Sequence, residues 1–338
     1  MASDERVTLS GPMPNLIATH SGTFHADDVF GIAVLATLFP DHQIIRTRNP
    51  DEIAGAEFVV DVGGSWDPAR GRFDHHQRGF EGARMRPDES GTLIAAEGYA
   101  SAGLVWREFG KAYVARVAQA MGHELASKVI DKITADVDAA LVRYIDLVDN
   151  GAADVAPGIF GLSSQLSLLN TTWLEERQLD AAGLATLQLE RFHQAMALVD
   201  QSLRRFVLRA IGQVLAADTV RRSERLLGGR VLLLADGGMP WTRVVLDEIP
   251  DVLLVIYPES GREQYQIRTV PAAAGSFASR MDLPAAWAGL RDEQLAAATG
   301  VFDAVFCHKN LFIAGARTLE GAMRTAASAI EAHETPTH

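Results

Sequence analysis

The chain has 338 residues, 48% hydrophobic and 22% charged, with a net charge of −12 from 31 basic and 43 acidic side chains. At roughly 150 residues per domain this suffices for about two domains with cores of their own, and the composition excludes a disordered or fibrous chain. A single cysteine, Cys307, excludes an internal disulfide and a cysteine-rich zinc site, and the acidic balance excludes a general polyanion binder, so any nucleic-acid contact has to be local or helped by cations. No stretch approaches the ~18 apolar residues of a membrane span, so no membrane partner is expected. Met1–Pro14 is polar and mixed in charge, without a secretory or transit pattern, and a cytoplasmic location is expected.

In chain order, Leu16–His20 is an apolar run ending at a polar turn, a buried strand. Asp27–Leu38 carries Val29, Phe30, Ala33, Val34 and Leu38 on a helical stripe that Pro40 stops. Gln43–Arg48 and Glu57–Asp61 are further strands, which makes an α/β domain with a mainly parallel sheet. Gly91–Phe109 and Ala112–Asp149 have helical spacing, and Leu179 to about Leu215 is one long amphipathic helix or a broken pair. Strands follow at Val231–Ala235, Val252–Ile256 and Tyr265–Val270. A helix covers about Asp292–Ala298, an apolar run Phe302–Phe306 and a last helix Thr318–Glu331. The expected organisation is a metal-binding domain over residues 1–200, a helical connector at about 170–225 and a smaller α/β substrate-binding domain over 225–338. The block from Trp173 through the long helix is read as a bridge between domains or a homo-oligomer interface.

Metal-ligand residue types gather at strand ends in the first third. His20, His25, Asp27 and Asp28 follow the first strand and open a helix, where α/β sheets bind ligands, and they suit a borderline-hard divalent ion. Asp61 follows an apolar strand directly. Asp74-His75-His76 follows Phe73; neighbours on an extended segment face opposite ways, so all three serve one metal only if the backbone turns. Asp146-x2-Asp149-Asn-Gly151 lies near a helix end. Taken singly, Asp27 or Asp28 fits a helix N-cap, Asp61 a turn, and Asp149-Asn150-Gly151 a helix C-terminus. Together the four clusters point to a metal site.

This order of motifs resembles the DHH phosphoesterase superfamily and, within it, the Myg (melanocyte proliferating gene) family. The resemblance continues through Tyr265-Gln-Ile-Arg268-Thr-Val-Pro271, Ser276-Phe277, Arg280, Leu283-Pro284, Trp287 and Gly289-Leu290. It ends in Phe306-Cys-His308-x3-Phe312-Ile-x-Gly315-x-Arg317-Thr318-x-Glu320-Gly321-Ala322, so it spans about Leu16 to Ala327. It implies a two-domain hydrolase of phosphate esters with one or two Mn²⁺ or Mg²⁺ ions in the first domain. The implied ligands are His20, His25, Asp27, Asp61 (bridging), His75 and Asp149, with His76 a ligand, a supporting group or a phosphate contact. Arg268, His308 and Arg317 are implied in phosphate recognition, with Thr318 beside them. The usual first motif is His-x3-Asp-x-Asp; here the spacing is longer and a His stands where the first Asp is expected. Lys309 stands near where the family often has a glycine and is the candidate substitute for its backbone contact.

The chemistry suits phosphoester hydrolysis. Two cations about 3.5–4 Å apart acidify a water and stabilise both attacking and leaving oxygens, with Asp61 or Asp149 able to bridge them. Arg268 and Arg317 suit phosphate oxygens through the planar guanidinium fork, and His308 suits protonation of the leaving oxygen. Family members in eukaryotes are described as 3′–5′ exoribonucleases, which implies a metal-dependent 3′–5′ exonuclease on RNA or short oligonucleotides. The alternative is a phosphohydrolase of nucleotides or pyrophosphate-like anhydrides. The basic clusters Arg204, Arg205, Arg209 and Arg221, Arg222, Arg225, Arg230 are read as solvated helix faces.

Overall fold

A computed structural model describes residues 15–151 and 161–335; the Met1–Pro14 reading lies outside them. The chain divides into two compact units, Met1–Ala210 and Ile211–His338. Among the described residues no helix is long and apolar enough to cross a membrane.

The first unit opens with β1 (Asn15–Thr19), α1 (Ala26–Leu38), β2 (His42–Arg46), α2 (Pro50–Gly55), β3 (Phe58–Val60), β4 (Trp66–Asp67) and β5 (Arg72–Phe73). The five strands form one sheet in the order β2-β1-β3-β5-β4. All pairings are parallel except β4 with β5, so the mainly parallel sheet expected from the sequence is present. Ile17, Ala18, Val59 and Val60 are buried, as is the whole run Val29–Leu35 of α1. A strand or helix covered on every side has no need of alternation, which is why these segments read as unbroken apolar runs.

The next segment departs from the helices expected over 91–109 and 112–149. It forms a hairpin of β6 (Ala83–Pro87) and β7 (Leu93–Gly98), then α3 (Ser101–Ala120), α4 (Ser127–Val137), a π-helical turn Asp138–Val142 and α5 (Arg143–Asp149). Leu93 and Ile94 look helical in sequence but pair across the hairpin with Pro87 and Arg86 and stay exposed; cross-strand pairing overrides a short apolar pattern. α3 gives way at Gly122, whose φ is +76°.

Arg84 ties the hairpin to these helices. Its Nε and Nη2 donate to Asp138 Oδ2 and Oδ1 at 2.8 and 2.6 Å, and its Nη1 donates to Asp146 Oδ2 at 2.7 Å. The Asp146 side chain has no exposure at all, and it accepts from Gly103 N at 2.9 Å. A Cβ on Gly103 would collide with that carboxylate, so only glycine lets α3 approach so closely.

The unit closes with α6 (Leu162–Ser167), α7 (Trp173–Glu176) and most of α8 (Ala181–Arg222). α8 is one unbroken helix, the first of the two forms expected. Phe192, Ala195, Val199, Leu203 and Val207 line its buried side at the three- and four-residue spacing of a helix face. Three of its arginines meet acids: Arg191 pairs with Glu175, Arg204 with Asp200, and Arg221 with Asp218 and Glu248.

The second unit contains β8 (Glu224–Leu226), β9 (Val231–Leu233), α9 (Thr242–Glu248), β10 (Leu254–Pro258), β11 (Tyr265–Thr269), α10 (Asp292–Thr299), β12 (Ala304–Cys307), β13 (Ile313–Ala316) and α11 (Leu319–Glu334). Its six-stranded sheet runs β12-β13-β11-β10-β9-β8. β9 and β10 are parallel and the other neighbours antiparallel. One core joins the sheet to α10 and α11 through Ile256, Ile267, Leu295, Ala322 and Ala326. The other packs Leu232, Val255 and Val270 against Trp241, Val245 and Val220.

Breaking a buried ion pair from one side costs about 3–5 kcal/mol, because a charge is left buried and alone. Arg84→Met should lower the unfolding free energy by about that amount, measured in urea, and adding Asp146→Leu should restore a large part of it.

Candidate metal centre

Each cluster of the first third comes to the carboxyl ends of the parallel strands. β1 delivers His20, whose Nε2 lies 3.4 Å from Asp28 and 3.3 Å from Asp61. His25 is the N-cap of α1 and forms a capping box with Asp28, its backbone N–H donating to Asp28 Oδ1 at 2.8 Å. Neither acid is the N-cap expected from the sequence: His25 holds that position, and Asp28 serves as the third helical residue of the box. Asp27 turns inward and accepts from Ser101 N and Ala102 N at 3.0 and 2.6 Å. Those amides open α3, whose positive dipole end suits a carboxylate.

β3 delivers Asp61 with a φ of +59°. That left-handed conformation is costly for a residue with a Cβ and persists where surrounding structure holds it; the carboxylate lies 3.3 Å from His20 and 3.6 Å from His75. Ser101 Oγ donates to its Oδ1 at 3.2 Å. β5 delivers Asp74, which accepts from Gly64 N at 2.5 Å and from His76 N at 3.0 Å. The latter bond closes an Asx turn. This is the backbone turn the triplet required: the His75 and His76 rings come to the same side, 4.2 Å apart. Asp149 ends α5, with Gly151 left-handed just beyond at φ +80°, so the helix C-terminus and the inward carboxylate coexist.

The result is three overlapping donor groups: His20, His25 and Asp61; Asp61, His75 and His76; and Asp27, His75 and Asp149. Within each, the candidate atoms lie within 4.8 Å of one another. His75 Nε2 sits 3.1 Å from Asp149, 3.6 Å from Asp61 and 3.9 Å from Asp27, yet it is buried and makes no hydrogen bond of acceptable geometry. A buried imidazole nitrogen aimed at three carboxylates without a proper hydrogen bond fits a cation between them. Every ligand expected from the sequence, His20, His25, Asp27, Asp61, His75 and Asp149, lies in these groups, and His76 joins them.

The electrostatics agree. Burial, with Asp61 and Asp149 nearby, pushes Asp27 well above the usual carboxylate range. Burial lifts Asp28 to about 7 against the pull of His20, and lifts Asp146 to about 7 against Arg84. Burial alone would lower His75, but Asp149, Asp61 and Asp27 raise it to about 10. Burial opposes Asp61 ionisation too, yet the neighbouring His20 and His75 imidazoles hold it below its ordinary value. With no cation, protons occupy the positions a cation would take.

Two cavities adjoin the donors. One of about 660 Å³ is bordered by His20, His25, Asp61, His76, the Gly63–Gly64 turn and Arg48. Another of about 440 Å³ is bordered by His25, Asp27 and Asp149 together with Ser163, Ser164 and Ser167 of α6. Sequence reasoning missed Arg48, Asp146, Arg84 and the α6 serines, because only the fold brings them here; Asp146 alone lay inside a quoted motif.

The candidate phosphate contacts of the second half lie in the second unit. Arg268 is exposed on β11, over the Phe312 ring at 5.7 Å. His308 lies against Phe312 at 4.5 Å and its Nδ1 accepts from Asn310 N. Lys309 is exposed in the β12–β13 turn. Arg317 is exposed and faces Asp292 at 3.6 Å. Thr318 is the N-cap of α11: its hydroxyl accepts from Gly321 N and donates to Asp303, which is work within the fold.

Fold and donors define an α/β protein with a buried acidic centre of metal-binding type. Residues 16–330 match the MYG1_exonuc family model, described as an uncharacterised protein family (UPF0160). A MYG1 protein of Caenorhabditis elegans is 34% identical over 343 residues, covering 95% of this chain and 97% of that protein. A protein of Homo sapiens named MYG1 exonuclease is 34% identical over 333 residues, covering 93% of this chain and 85% of that protein. The chain belongs to this family. A solved structure titled as the exonuclease RecJ bound to manganese covers 95% of this chain and 91% of its own at 15% identity and a TM-score of 0.27, too slight a likeness to carry a conclusion.

A cation entering this centre has to displace the protons on His75 and Asp27. Apparent Mn²⁺ affinity should therefore rise from about pH 6 to about pH 9, with proton release on binding. Calorimetry in buffers of different ionisation enthalpy checks both, and His75→Ala should weaken binding and flatten the pH dependence.

Proposed function

We propose that this protein is a metal-dependent phosphodiesterase that removes nucleotides from the 3′ end of RNA or a short oligonucleotide, using one or two Mn²⁺ or Mg²⁺ ions. The observation that carries the reading is the sharing of donors. Asp61 belongs to two of the three groups and His75 to two, an arrangement suited to neighbouring cations rather than to one structural ion. The exonuclease name of the human relative supports the reaction class.

Divalent cations held there supply Lewis-acid charge at phosphate oxygens and lower the pKa of an attacking water. The side chains do the rest. Asp27 is pinned by two α3 amides, so its carboxylate stays in place as charge develops nearby. Asp74 accepts from His76 Nδ1 at 2.8 Å, which puts the ring proton on that nitrogen and leaves Nε2 of this mostly exposed ring to meet substrate. Arg48 borders the larger cavity and suits a phosphate. At about 660 Å³ that cavity has the size of a small-ligand site, which favours a strand end over a duplex.

Hydrolysis of 5′-labelled RNA with Mn²⁺ tests the reading. The wild type should give a ladder shortening from the 3′ end, at least about 100-fold slower in His75→Ala and Asp61→Asn, and slower by about 10–100-fold in His76→Ala. Intact RNA, with inorganic phosphate released from free nucleotides, would instead favour a small-molecule phosphohydrolase.

A further inference from the structure

α6 carries no donor of the metal centre, yet the fold fixes it beside that centre. Leu166 is fully buried, and α6 packs against α1 and α5, the helices that carry Asp27 and Asp149. Asn170, just beyond α6, grips the backbone between His20 and His25 in both directions. Phe24 N donates to its Oδ1 and its Nδ2 donates to Phe24 O, each at 2.9 Å. The segment from α6 to Asn170 is thereby tied to the loop that leads into His25 and Asp27.

The cavity of about 440 Å³ at this place falls within the roughly 300–1,000 Å³ of small-ligand sites. Apart from the donors, its border is neutral: Ile145 and Val148 of α5 and the serines of α6. Among the described residues that border it there is no lysine, arginine, phenylalanine, tyrosine or tryptophan. Such a border offers nothing for a second phosphate and no ring for a base to stack on. Aliphatic groups mixed with hydroxyls match the surface of a sugar instead.

Ser163 and Ser167 stand four residues apart, so they share one face of α6. Neither hydroxyl has a hydrogen-bond partner among the described residues. Helical hydroxyls elsewhere, at Thr186 and Thr325, turn back to the carbonyl four residues earlier, the usual resort of such a group. Ser167 makes no such bond, and its hydroxyl stays free at the cavity. A serine hydroxyl both donates and accepts, as does the 2′-hydroxyl by which a protein tells RNA from DNA.

We propose that Ser163 and Ser167 bind the ribose 2′-hydroxyl of the nucleotide whose phosphate lies at the metal centre, so that this wall selects ribonucleotides over deoxyribonucleotides. The proposal rests on the phosphodiesterase reading for the placing of that phosphate.

Calorimetry on the Mn²⁺-loaded protein compares AMP with 2′-deoxy-AMP. The wild type should bind AMP about 5–10-fold more tightly, the effect of one or two hydrogen bonds between neutral groups, and the double substitution Ser163→Ala with Ser167→Ala should bring that ratio to about 1. Mn²⁺ affinity and melting temperature should not change, because neither serine is a donor of the centre and alanine is favoured in a helix. Initial rates on RNA and on DNA of the same sequence should show the same preference and the same loss of it. Where AMP is itself turned over, its KM against that of the deoxy form carries the comparison. AMP bound no more tightly than 2′-deoxy-AMP, or a preference that survives both substitutions, would overturn the proposal. RNA left uncleaved while AMP keeps its serine-dependent advantage would sink the nuclease reading and leave the sugar site standing.

Discussion

Carboxylates buried side by side need positive charge between them, and the first unit is organised around that requirement. Asp27, Asp28, Asp61 and Asp146 are all buried, with Asp149 beside them. Taking such charges out of water costs several kcal/mol each unless they are paired or protonated. Arg84 offsets Asp146, and His20 and His75 answer part of the rest. What remains is met by protons: His75 stays charged up to about 10, Asp28 is lifted to about 7, and Asp27 is lifted well above its ordinary range. A centre so dependent on protons is a centre prepared for cations.

The backbone pays for this in local strain and fixed turns rather than in extra elements. Asp61 adopts a left-handed conformation, Asp74 closes an Asx turn that brings two adjacent imidazoles to one side, and α3 aims its first amides at Asp27. Arg84 supports the arrangement from behind. It joins the π-helical turn and α5, which carries Asp149, to the hairpin before α3. A π-helical turn inside a helical run often marks a functional position, and here it supplies Asp138 to hold the arginine.

Much of the centre was legible because its chemistry is local. Histidines and aspartates directly after apolar strands have no packing reason to be there, so His20, Asp61 and the Asp74–His76 triplet stood out. Asp27 and Asp28 could not be told apart in sequence, because both open the same helix; only the fold makes Asp28 a partner in the capping box and turns Asp27 toward His75. Arg84 and Arg48 gave no signal, since their importance comes from residues distant in sequence. The β6–β7 hairpin was hidden for a related reason. Leu93 and Ile94 have the spacing of a helix face, and their strand state depends on Arg86 and Pro87 across the hairpin. In the second unit β9, β10 and β11 were legible from their apolar runs and β8 and β13 were not, whereas Thr318, carried over as a substrate contact, serves as a helix cap.

The central claim is that cations occupy the space between Asp61, His75 and their neighbours. Anomalous diffraction from crystals soaked in Mn²⁺ tests it most directly. Peaks are expected about 2.0–2.3 Å from Asp61 and from His75 Nε2, with Asp27, Asp149 or His20 completing their surroundings. Peaks confined to exposed acids, with the space between Asp61 and His75 empty, would contradict it.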